Sequence, residues 1–177
     1  GKWAGGLSSV KKTMSKDYGA VEIITNSYRV HPKVLGKELS KTTNTLLEKN
    51  LISLNEKNVY EISKVGLNKI KGSDATKFKS ILGEINYVKE IVNKNKALSL
   101  KDVNTLKKNL DDALYPKNPS SYLENAELRN ALKGYRSNLK NMYRTGLEKR
   151  NPEMYKKVVE LDGKYGPIKD LIDDFSF

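Results

Sequence analysis

The sequence predicts a mainly α protein, an elongated antiparallel helical bundle, with a small β-hairpin possible near residues 52–62. Three observations point there. Apolar residues recur at three- and four-residue steps over long stretches from residue 73 onward, the spacing of buried helix faces. Cap and breaker residues separate those stretches by short connections, which favours antiparallel neighbours. Hydrophobic residues are 37% and charged residues 31%, polar for a compact globule but usual for bundles with broad solvated faces.

Residues 1–20 hold four glycines, Gly1, Gly5, Gly6 and Gly19, and the only tryptophan, Trp3. They read as a loose N-terminal arm with one short helix from Leu7 to Lys16, Trp3 anchoring it to the body. The abrupt start GKWAGG, without an initiator methionine, is expected of a matured protein or of a segment of a longer polypeptide; tag removal would leave the same start. The apolar run Val21–Arg29 fits a helix or a strand. Pro32 suits the first turn of a helix whose inner face is Val34, Leu35, Leu39, Leu46 and Leu47, with Asn50 closing it. Leu51–Leu54 and Val59–Ile62 flank Asn55-Glu56-Lys57-Asn58 and suit a small hairpin or an irregular link. A short helix over Ser63–Lys71, weakened by Gly66, completes a small helical subdomain at 21–72.

The region 73–177 reads as the bundle proper. Ser73 and Asp74 can cap a helix with inner positions Phe78, Ile81, Leu82, Ile85, Val88, Ile91 and Val92. Ser99 with Asp102 opens another, through Val103, Leu106, Leu110 and Leu114 to Tyr115. Pro116 and Pro119 mark a loop. The longest stretch, Ser121–Arg150, carries an apolar seam of Leu128, Leu132, Tyr135, Leu139 and Met142. Asn151-Pro152 ends that helix and opens the next, lined by Tyr155, Val158, Val159 and Tyr165 until Gly166-Pro167. Ile168, Leu171, Ile172 and Phe175 suit a last short helix.

Composition and motifs exclude most chemistry. There is no cysteine, so disulfides, thiolate catalysis and Cys-based zinc sites are out. His31 is the sole histidine, best placed to start the helix at Pro32, so multi-histidine metal sites are out too. No phosphate-cradling glycine loop or nucleophile elbow occurs. Asp111-Asp112 and Asp173-Asp174 point about 100° apart on a helix and read as solvated polar faces. No catalytic residue, metal, cofactor or small-molecule substrate is expected, and no apolar run is long enough to span a bilayer. The sequence therefore predicts a non-enzymatic protein.

Charge is the strongest chemical signal. Lys and Arg number 33 against 21 Asp and Glu, a net charge of +12 that favours anionic partners. On the long helix a second stripe runs beside the seam: Arg129, Lys133, Arg136, Lys140 and Arg144. These five can contact successive phosphates of nucleic acid or an anionic partner. Equally, their stems can flank the seam and hold the charges in water.

Two resemblances add expectations. LLEKNLI at 46–52 followed by VYEIS at 59–63 and Gly66-Leu67 resembles the end of a winged-helix domain, a recognition helix and its wing. That resemblance implies helices at 22–29 and 33–39 and puts Lys41, Thr42, Thr43 and Asn44 at the exposed start of a recognition helix, as in a DNA-binding regulator with a C-terminal helical dimerisation region. No clear turn separates its second and third helices. The pieces ALSLKDVNTLKKNLDDALYP at 97–116, ELRNALKGYRSNLKNMYR at 127–144 and NPEMYKKVVELDGKYGPIKDL at 151–171 resemble helical modules of large bacteriophage virion proteins of the tape-measure, internal and DNA-ejection types. That resemblance implies a structural component of the virion, packed against other subunits or copies of itself and near DNA. It carries over no binding residue. A cytoplasmic location is expected otherwise.

Overall fold

The computed structural model describes the backbone of residues 2–166 and the side chains from residue 6 onward except Leu7. The anchoring role of Trp3 and the short helix expected after Gly166 lie outside the described residues. The chain is mainly helical with a small antiparallel hairpin, as the periodicity predicts.

The first departure comes at the start. One helix, α1 (Lys2–Ser27), replaces the loose arm and its short helix. Its glycines each cost helix propensity of about 1 kcal/mol relative to alanine. Packing compensates: Met14, Val21 and Thr25 are buried and Tyr18 half-buried, one stripe at helical spacing. The apolar run after Gly19 then divides, with helix to Ser27 and a two-residue strand β1 (Arg29–Val30) beyond it.

Helix α2 (Pro32–Glu48) starts as its sequence indicates, with His31 as cap: the Lys33 N–H donates to His31 Nδ1 at 3.0 Å. It ends on Asn50, whose φ of 57° is the left-handed conformation Asn tolerates. The Asn50 and Leu51 N–H groups return to the carbonyls of Leu47 and Leu46, satisfying the last turn. Strands β2 (Ile52–Leu54) and β3 (Tyr60–Ile62) form the hairpin, Ser53 opposite Glu61. Its loop is held by Asn55, whose Oδ1 accepts from the Lys57 and Val59 N–H groups, and by Asn58 at φ 61°.

Gly66, in the short helix α3 (Lys64–Lys69), is required by close approach and is more than a weak point. A Cβ there would lie 2.4 Å from the Leu51 carbonyl oxygen and 2.9 Å from Ile62 Cγ2. Gly66→Ala is expected to lower stability by about 1–3 kcal/mol, the usual cost of overpacking. Gly83→Ala, where the space around the Cβ is open, is expected to raise it by about 0.5–1 kcal/mol. Urea midpoints of the two variants check both signs.

Helix α4 (Ser73–Asn93) and α5 (Leu100–Leu114) follow, with strand β4 (Leu98–Ser99) pairing antiparallel to β1, a ladder the sequence does not announce. Ser99 caps α5 through the Asp102 N–H at 3.1 Å. Asp74 does not cap its own helix. Its buried carboxylate accepts from the N–H groups of Glu124 and Asn125, 50 residues on. Gly72, at φ 59°, opens α4 without a side-chain cap.

Helix α6 (Ala126–Arg150) is capped by Asn125. Asn151 joins it to α7 (Pro152–Tyr165) and caps the latter through the Met154 N–H at 3.0 Å. Helices α5 and α6 run antiparallel: Gly146 faces Leu100 while Arg136 meets Asp111. The seam of α6 is buried at Leu128, Leu132, Tyr135, Leu139, Tyr143 and Leu147. Tyr143 thus takes a place expected of Met142, which is only partly buried. Val34 and Val159, expected on inner faces, are 46% and 45% exposed. The core is continuous from α1 through the hairpin to α7.

Candidate anion-contacting site

The five cations of the stripe on α6 are not an open ridge. At its start, Arg129 Nη1 donates to the Leu123 carbonyl at 2.7 Å, tying the preceding loop to the helix. Lys133 and Arg136 lie 6.0 and 5.5 Å from the centre of the Tyr115 ring, within cation–π range. Arg136 Nε donates to Asp111 Oδ1, while Lys107 holds the other carboxylate oxygen at 2.6 Å. Asp111 is therefore a bridge between α5 and α6, not the solvated residue its sequence position suggests. Arg144 reaches Asp162 of α7 only loosely, at 3.8 Å, and Asp162 also accepts from the Tyr18 hydroxyl at 3.0 Å.

Lys140 differs from its neighbours. Among the described residues no carboxylate lies within ion-pair distance of it. Repulsion from Arg144, then burial, Arg136 and Lys107, lowers its pKa below the ordinary lysine value, with Asp111 opposing. Arg136 and Arg144 flank it one turn away on each side, so Lys140 sits between two like charges.

Lys140 and Arg144 line a cleft of about 140 Å³ where α1, α5, α6 and α7 meet. Lys101, Lys107 and Lys108 of α5 enter it from one side, Glu22 of α1 and Asp162 of α7 from another. None of the α5 residues stood out in the sequence. The signal available was the i, i+4 pair Lys107–Asp111, a common surface motif with nothing to mark it.

A second concavity, of about 490 Å³, runs between α2 and α6. Its floor includes Val30, Leu100 and Met142, and its walls bear Arg29, Lys41, Lys149 and Arg150 against one carboxylate, Glu38. Lys41 pairs with Glu38 at 3.0 Å, and the Arg150 guanidinium lies 5.7 Å from the Tyr28 ring and donates to the Arg29 carbonyl.

The winged-helix assignment of Lys41, Thr42, Thr43 and Asn44 meets a different geometry. Helix α2 runs unbroken across both segments expected to be separate helices. Thr42 and Thr43 are each 3% exposed, and the Thr43 hydroxyl donates to the Leu39 carbonyl at 3.2 Å. Only Lys41 and Asn44 face solvent, because four consecutive helical residues span every face and two must point inward here.

Among the described residues no group of three His, Cys, Asp or Glu is placed to hold a metal ion, and no helix is long and apolar enough to cross a membrane. Comparison of the chain with family models, curated proteins and solved structures gives no match.

Proposed function

We propose that this chain is a non-enzymatic helical assembly module, a bacteriophage virion component of the internal, tail or ejected kind, that packs against other subunits and meets genome DNA through basic surfaces. The observation that carries the anionic partner is the α2/α6 groove, where Arg29, Lys41, Lys149 and Arg150 outnumber Glu38. We assign the contact to this groove in preference to the α6 stripe because Arg129 and Arg136 of the stripe are held by protein groups. The virion setting rests on the sequence resemblance and on the absence of any recognisable catalytic motif. The hairpin suits the winged-helix alternative; the burial of Thr42 and Thr43 is our reason for preferring the assembly reading.

Lys41→Glu with Lys149→Glu tests this reading. Both side chains are exposed, so the fold is expected to hold. Affinity for duplex DNA should fall at least tenfold, and the slope of log affinity against log salt should shrink by about 2, near 0.9 per lost phosphate contact. Unchanged affinity and slope would remove the groove from the interface.

A further inference from the structure

We propose that the cleft between α1, α5, α6 and α7 is a binding site for a single phosphoryl anion, held chiefly by Lys140, Arg144 and Lys107. This goes beyond the polymer contact above, because a cleft of about 140 Å³ admits one tetrahedral oxyanion with a few waters and not a duplex.

The charges are arranged in three dimensions. Lys140 and Arg144 project from consecutive turns of α6, and Lys107 and Lys101 come from α5 across the cleft. Five cations and three carboxylates line it. Two of the carboxylates are already engaged, Asp111 by Lys107 and Arg136, and Asp162 by the Tyr18 hydroxyl. The excess of two positive charges matches a phosphate, which carries about −1.5 to −2 at neutral pH. Lysine ammoniums donate in three directions and the arginine fork in a plane, a donor set suited to tetrahedral oxygens from several sides. Crowding among the cations, evident in the lowered affinity of Lys140 for its proton, is what a bound anion would relieve. The Arg144–Asp162 separation of 3.8 Å leaves the guanidinium able to turn toward such a ligand.

The anion can arrive as free phosphate or as the terminal phosphate of a short nucleic acid strand, and the test separates them. Inorganic phosphate is titrated by calorimetry at constant ionic strength, with chloride as the balancing anion. Trinucleotides with and without a terminal phosphate are titrated in parallel. Saturable phosphate binding is expected, with Tm rising by about 5–10 °C at a hundredfold excess over Kd. Lys140→Gln should weaken it at least tenfold, and Lys133→Gln, outside the cleft, should leave it unchanged. A preference for the phosphorylated trinucleotide would identify the strand end as the source; equal binding of the two would identify the free anion. No saturable phosphate response beyond that of chloride, together with no preference for the phosphorylated strand, would overturn the proposal. So would a Lys140→Gln protein, folded by circular dichroism, that binds phosphate like the parent. Lys41→Glu with Lys149→Glu should not alter phosphate binding, so this proposal and the DNA groove fail independently.

Discussion

Replacing Asp74 by alanine is expected to cost about 3 kcal/mol of folding stability, although the residue lines neither of the two cationic clefts described above. Its carboxylate accepts from the Glu124 N–H at 3.0 and 3.2 Å and from the Asn125 N–H at 3.0 Å. Asp74 also sits in the first turn of α4, and Asn125 is the cap of α6. One buried charge thus serves the N-terminal ends of two helices, where the helix dipoles favour it. Bonds to a charged group contribute about 1.5–3 kcal/mol each, and truncation leaves two backbone donors without their partner. Burial of the charge offsets part of this, so the sum is less than two full bonds. For a chain of this size a loss of about 3 kcal/mol lowers Tm by roughly 6–12 °C. Asp74→Asn keeps an acceptor but not the charge and should fall between the two. Denaturant unfolding of the three proteins measures the order directly. A change below about 0.5 kcal/mol in Asp74→Ala would mean that desolvation cancels the bonds.

Asp74 also marks where sequence reasoning stops. Its place two residues after Gly72 suggested a local cap, and local caps were otherwise readable: Ser99, Asn151 with Pro152, and Asn50 all act as their neighbours imply. Such signals work because donor and acceptor lie within four residues of one another. The Asp74 bonds join residues 50 positions apart, and no local pattern encodes them. The surroundings of the α6 stripe were hidden for the same reason. Helical spacing put Arg129, Lys133, Arg136, Lys140 and Arg144 on one face, which holds, but whether that face meets water depends on Asp111, Tyr115 and Asp162 from other helices. Helix α1 was hidden differently. Its glycines outweighed a stripe that was visible all along, Met14, Tyr18, Val21 and Thr25, since local propensity yields to packing once a partner surface exists. The candidate site was half legible: Lys140 and Arg144 came from the stripe, while Lys101 and Lys107 needed the fold.

The same cleft predicts a steep loss of stability in alkali. Burial, and then the nearby Asp162 charge, raises the Tyr143 hydroxyl to about 12, against the bond from Thr25, which lowers it. Tyr18 and Tyr135 shift in the same direction, burial again being the main cause. Tyr135 adds a buried hydroxyl with no hydrogen-bond partner, so its ionised form has nothing to stabilise it. In the unfolded chain a tyrosine ionises near pH 10. Above that value the unfolded state has released protons that the folded state still holds, so stability falls as pH rises. The contribution of Tyr143 is intact below about pH 10 and is lost progressively toward about pH 12, some 2–3 kcal/mol in all. Urea unfolding at about pH 9 and about pH 11.5 should show this loss, and in Tyr143→Phe the difference should shrink by about 2 kcal/mol. Lysine titration affects both proteins alike and cancels in the comparison. The tyrosinate absorbance lost in Tyr143→Phe relative to the parent should appear together with unfolding, because the buried hydroxyl ionises only when the helices part. A difference between the parent and Tyr143→Phe already present near pH 10, with the helical signal intact, would show that water reaches Tyr143 in the folded state and that the inner wall of the cleft is open.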